Sequence, residues 1–84
     1  MNHNTSPDFW AAYRELPVTI QKAADSAFAL LNSNPRHPSL HLKKVRNFWS
    51  ARVGLGYRAV AVESNDGLVW FWIGTHAEYD KLLG

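Results

Sequence analysis

The sequence predicts an α+β fold: an N-terminal helical hairpin packed on an antiparallel β-sheet of three to four strands, with a short C-terminal helix. Three observations carry that expectation. Apolar residues recur at helical spacing up to about residue 32, then at a spacing of two from about residue 40. Ser64-Asn65-Asp66-Gly67 lies between two apolar runs and reads as a hairpin turn, because Asn and Gly tolerate positive φ. The chain has 84 residues, 46% hydrophobic and 13% aromatic, enough for one small core but not two. A single domain over residues 1–84 is expected, with no repeat, linker or low-complexity tract.

Residues 1–6 are polar and read as a disordered tail. Ser6-Pro7-Asp8 is a helix start: Ser caps, Pro fits the first turn, and Asp complements the helix dipole. The first helix is expected from Pro7 to Glu15, with Phe9, Trp10, Tyr13 and Leu16 at helical spacing. Pro17 stops it and opens the second helix, which should run to Asn32. There Ile20, Ala23, Ala24, Ala27, Phe28 and Leu31 form an unbroken apolar stripe.

Asn32-Ser33-Asn34-Pro35 ends that helix, and Pro38 keeps the chain extended. Leu40 to Val45 is expected as a strand, followed by a second from Phe48 to Val53. Alternation puts Trp49, Ala51 and Val53 on one face and Phe48, Ser50 and Arg52 on the other. After a Gly54-Leu55-Gly56 turn, the strand Tyr57 to Glu63 sets Tyr57, Ala59 and Ala61 opposite Arg58, Val60 and Val62. Leu68 to Ile73 is wholly apolar, as in a central strand covered on both faces. Thr75-x-x-Glu78 is a capping-box pattern for a last helix, His76 to Leu83. The helical hairpin then covers one face of the meander, giving two layers.

Charge is unevenly spread. Between Arg36 and Arg58 lie Arg36, Lys43, Lys44, Arg46, Arg52 and Arg58, six of the nine Lys and Arg, and no acid. The rest of the chain has three cations against all seven acids. Such a segment creates a local positive potential that a polyanion would feel. Phe48, Trp49 and Tyr57 sit among the cations, a mixture suited to backbone contact and base stacking. The plain alternative is an ordinary solvated sheet surface.

Several chemistries find no support. Cysteine is absent, so there is no disulfide, thiolate metal site or cysteine nucleophile. Of the four histidines, His3 is in the expected tail, and His37 and His41 flank Pro38 in an extended segment, so no metal site is expected. There is no phosphate-binding glycine loop and no hydrolase elbow. No cofactor is implied. No apolar run reaches the roughly 18 residues of a membrane span, and residues 1–8 lack the features of a signal peptide. A cytoplasmic address and no membrane partner are expected by default.

What remains is a cationic sheet beside an ionisable helix start. His76 follows the apolar strand by three residues, and Tyr79 lies three further on. An imidazole, with an unperturbed pKa of about 6.5, can take or give a proton near neutrality. Arg52 and Arg58, neighbours across a hairpin, could hold a phosphate by bidentate hydrogen bonds. These parts suffice for RNA cleavage in which the RNA's own 2′-hydroxyl attacks the adjacent phosphorus. Equally, His76 could only cap a helix, Tyr79 could pack on Trp70 or Trp72, and each arginine could pair with an acid.

The runs NPRHPSLHLKKV, FWSARVGLGYRAVAV and VWFWIGTHAEYDKLL together resemble the RelE/ParE superfamily of toxins from bacterial type II toxin–antitoxin modules. The resemblance covers roughly residues 9–83. It implies a metal-free endoribonuclease that cuts mRNA in the ribosomal A site, contacting ribosomal RNA, and a cognate antitoxin that wraps the cationic patch. Carried over by position, Lys43 and Lys44 would stabilise the transition state, and Arg52 and Arg58 would contact phosphate. His76 would be a general acid or base, and Tyr79 would stack a base or assist proton transfer. Arg36 and Arg46 would add RNA contacts. The chain departs from the pattern by lacking an obvious first strand, so the sheet either loses an edge or draws one from residues 2–6. It also has His76 where arginine is common. ParE-type members share the scaffold and inhibit DNA gyrase, which keeps gyrase inhibition open as an alternative, as is an inactive nucleic-acid- or antitoxin-binding relative.

Overall fold

The computed structural model describes residues 2–83; Met1, the first residue of the expected tail, and Gly84 lie outside the described residues. Asn2–Thr5 forms strand β1 instead of a disordered tail. It pairs in parallel with the strand Gly67–Thr75, β5, from Asn2 opposite Gly67 to Thr5 opposite Trp70. Two contacts offset the polarity of this segment. The buried Trp70 indole N–H donates to Nδ1 of the buried His3 at 3.0 Å, with the rings stacked. Gly67, at φ 157°, lets β1 come close: a Cβ there would lie 2.1 Å from the Asn2 carbonyl oxygen. The missing edge is therefore supplied by residues whose composition conceals it.

Helix α1 spans Pro7–Arg14 and α2 spans Val18–Ser33, joined at Pro17 as the sequence predicts. Ser6 holds the N-cap position, but its side chain makes no capping bond, and its Oγ is buried with no partner among the described residues. Its backbone acts instead, with Ser6 N–H donating to the Trp70 carbonyl at 3.0 Å. Ala24, Ala27 and Leu31 of α2 are buried; the small alanines let the helix approach the sheet.

The stretch expected as a strand from Leu40 begins differently. Pro38–Leu40 is one turn of 3-10 helix, and His41 turns the chain at φ 44°. Leu40, 1% exposed, plugs the core, a burial that contributes about 1.5–3 kcal/mol. Strand β2 is only Lys43–Val45. Strands β3 (Phe48–Val53) and β4 (Tyr57–Ser64) follow the expected bounds to within a residue. Asn65-Asp66 is a two-residue turn into β5. The sheet order is β1-β5-β4-β3-β2, antiparallel except for the β1–β5 pair.

A register shift at Val60/Ala61 redirects β5, so its continuous apolar run serves both faces. Leu68, Trp70 and Ile73 join Ala51, Val53, Ala59 and Ala61 beneath α1 and α2. On the other face Val60, with Phe71 and Trp72, packs against Tyr79 and Leu83 of helix α3, His76–Leu83. Helices thus lie on both faces, where the alternation alone predicts two layers. No described helix is long and apolar enough to cross a membrane.

Candidate functional site

The α3 face of the sheet collects three of the six predicted cations. Arg52 and Arg58 are direct partners across the β3–β4 ladder, and Lys43 is the direct partner of Ser50 across β2–β3. Same-face alternation puts Phe48, Ser50 and Arg52 together with Arg58 and Val60. Arg58 is 7% exposed, and its guanidinium lies 5.2 Å from the centroid of the Tyr79 ring, a cation–π contact. Its Nε and Nη1 are buried with no hydrogen-bond partner among the described residues. Desolvating a cation without pairing it is costly. A fixed guanidinium with two open donors is therefore suited to an oxyanion.

Helix α3 is set in place by its first turn. Thr75 N–H and Oγ1 donate to Glu78 Oε1 at 2.9 and 3.0 Å, and Glu78 N–H donates to Thr75 Oγ1 at 3.1 Å, the reciprocal capping box. The backbone N–H of Thr75, and then its hydroxyl, hold the Glu78 carboxyl below its ordinary pKa. His76 N–H donates to the Gly56 carbonyl at 2.8 Å, tying the helix start to the β3–β4 turn. The imidazole itself is exposed and meets the Tyr79 ring edge-on, with centroids 5.8 Å apart.

His76 Nδ1 lies 3.2 Å from Asp80 Oδ2, one helical turn on. A carboxylate only accepts, so Nδ1 carries the proton and Nε2 is left as the basic nitrogen. Asp80 was not singled out from the sequence; the signal was the i, i+4 spacing of His and Asp. Ser50 was placed on this face but given no role. It is 0% exposed, and its Oγ has no hydrogen-bond partner among the described residues.

Other predicted residues fall elsewhere. Lys44 does not join this face. It pairs with Trp49 in register, on the side of the hairpin helices, and its Nζ is 3.2 Å from Glu63 Oε1. Glu63 also accepts from the Trp49 indole at 2.9 Å. That hydrogen bond, with Lys44 after it, holds the Glu63 carboxyl below its ordinary pKa. Alternation explains the correction: consecutive lysines on a strand cannot share a face. Arg36 is exposed in the connection after α2, and Arg46 is exposed in the β2–β3 turn at φ 59°. Both lie off the sheet face, as does His37, whose Nδ1 is occupied by Ser39. Tyr79 is 7% exposed, so its ring face holds Arg58 instead of offering a stacking platform.

A helical hairpin on one face of a small, mostly antiparallel sheet, with a short C-terminal helix, is the fold of the RelE/ParE superfamily of toxins. Residues 18–81 match the model of the ParE-like toxin domain, and the chain belongs to that family.

The solved structures it resembles share the fold. The RelB–RelE antitoxin–toxin complex from Methanococcus jannaschii matches with a TM-score of 0.73 at 19% identity, over 96% of this chain and 99% of that one. The isolated RelE toxin of E. coli matches with a TM-score of 0.62 at 13% identity, over 95% and 93%. YoeB from Staphylococcus aureus matches with a TM-score of 0.66 at 14% identity, over 90% and 97%. No curated protein sequence matches the chain.

Proposed function

We propose that this protein is the toxin of a type II toxin–antitoxin module and cuts mRNA, in the cytoplasm and on the ribosome, by metal-independent transfer chemistry. The observation that carries the reading is Arg58: buried, fixed over Tyr79, and with two donors unpartnered. Against the same Tyr79 ring lies the His76 imidazole, its Nδ1 3.2 Å from Asp80 Oδ2.

In this reading Arg58 holds the scissile phosphate, with Lys43 and Arg52 flanking it. His76 Nε2 takes the proton of the 2′-hydroxyl. The 2′-oxygen attacks phosphorus as the bond to the 5′-oxygen breaks, and solvent protonates that oxygen. The products are a 2′,3′-cyclic phosphate and a 5′-hydroxyl. Arg58 stabilises the charge that gathers on the non-bridging oxygens, where preorganised donors act most strongly. RelE of Methanococcus jannaschii is solved with its antitoxin RelB; we propose a cognate antitoxin here too, covering the cationic patch.

The match to a ParE-like model favours one alternative, inhibition of DNA gyrase by binding. Induced expression separates the two. Codon-phased cuts in cellular mRNA, read by primer extension, support the nuclease. Intact mRNA with lost supercoiling by purified gyrase supports the inhibitor and overturns the nuclease.

A further inference from the structure

We propose that Ser50 is a positioning residue of the phosphate site, donating its hydroxyl to the oxyanion that Arg58 holds. The inference rests on the nuclease reading for its substrate, but the site stands on its own geometry. Ser50 is the direct register partner of Lys43 and, along β3, lies two residues from Arg52 on the same face. Arg58 is its diagonal neighbour, two residues from its direct partner Val60. Direct partners have Cβ atoms about 5 Å apart and diagonal ones roughly 7 Å. One hydroxyl therefore sits amid three cations contributed by β2, β3 and β4.

Burial makes the position unusual. Ser50 is 0% exposed, and its Oγ and two Arg58 nitrogens are unpartnered on this face of the sheet. Valine or alanine would fill this strand position without leaving a polar group unpaired, as Val60 does next to it. A hydroxyl here is a cost to the fold that an arriving oxyanion removes, by accepting from Ser50 and Arg58 at once.

Inorganic phosphate is the probe, added to the full chain while Tm is followed, since a ligand of the folded state alone raises Tm. Cleavage of mRNA on ribosomes is measured alongside. Ser50→Ala should fold with a Tm no lower than wild type. It should lose most of the phosphate-induced rise and lower turnover by roughly tenfold to a hundredfold, the effect of one hydrogen bond to a charged group. KM should change little. Ser50→Cys keeps the shape, with a slightly larger atom, but offers a poor donor, and should behave like Ser50→Ala. A phosphate response and turnover equal to wild type in either variant overturns the inference and leaves the nuclease reading untouched. So does failure of both variants to fold, which would make the hydroxyl structural. Loss of the phosphate response in Ser50→Ala, with no mRNA cleavage by wild type, keeps the oxyanion site and overturns the nuclease reading alone.

Discussion

The Arg58 guanidinium lies over the Tyr79 ring, 5.2 Å from its centroid, and both side chains are 7% exposed. Tyr79 thereby acts on Arg58 and not on solvent. The ring restrains the cation and shields it from water, which strengthens its pull on an anion. Tyr79→Phe should accordingly keep most RNA cleavage, because the face that holds Arg58 is unchanged. Tyr79→Ala should destabilise the fold by about 3–5 kcal/mol, typical of a buried aromatic, and abolish cleavage. Denaturant melts with a cleavage assay distinguish the two variants.

Arg58 is a buried cation with no salt bridge among the described residues and two nitrogens without hydrogen-bond partners there. Arg58→Met removes that charge while filling the space. Its unfolding free energy should be equal to or above that of wild type, because apolar replacements of buried charges are neutral or stabilising. Cleavage should fall by about a hundredfold or more, the cost of removing one transition-state donor. A variant that melts earlier and cuts normally would show the arginine to be structural.

His76 Nδ1 faces Asp80 Oδ2 at 3.2 Å, one helical turn on. His76→Ala should cost about 10²–10⁴ in rate, the range for a general acid–base group. Asp80→Asn should cost less than His76→Ala and leave phosphate binding intact. Equal rates for Asp80→Asn and wild type would remove Asp80 from the site.

The two lysines should part company. Lys44 is half-exposed and paired with Glu63 on the hairpin side, so Lys44→Ala should cost at most about 1 kcal/mol and leave cleavage near wild type. Lys43→Ala should weaken RNA binding and flatten its salt dependence. Filter binding at two salt concentrations reads both.

His3 links the N-terminal edge to pH. Burial holds its pKa below the ordinary 6.5, and Nδ1 accepts from Trp70 only when unprotonated. The unfolded chain therefore binds the proton more readily than the folded one. The stability that neutral His3 contributes is present above about pH 6.5 and is lost as pH falls from there toward the lower folded value. Melts at pH 7.5 and 5.5 should show this loss in wild type and a smaller one in His3→Asn.

Strand faces were legible because alternation is a local rule: Trp49, Ala51 and Val53 against Phe48, Ser50 and Arg52 read directly from β3. The capping box at Thr75 and Glu78 was equally local. β1 was not legible from its own residues, because Asn2–Thr5 is held by Trp70 and Gly67, more than sixty residues away; only the family resemblance pointed to residues 2–6 as a possible edge. Nor was the 3-10 turn at Leu40, where one buried leucine outweighs the strand pattern. At the site, Arg58 and His76 could be named from the chain. The burial that leaves two Arg58 nitrogens without partners among the described residues, and that withdraws Tyr79 from stacking, comes from α3 folding over the sheet.

The most direct test maps new mRNA 5′ ends in cells expressing wild type or Arg58→Met, with folding of the variant verified by its melt. The account predicts codon-phased ends bearing a 5′-hydroxyl with wild type and none with Arg58→Met. Codon-phased ends persisting with folded Arg58→Met would contradict it.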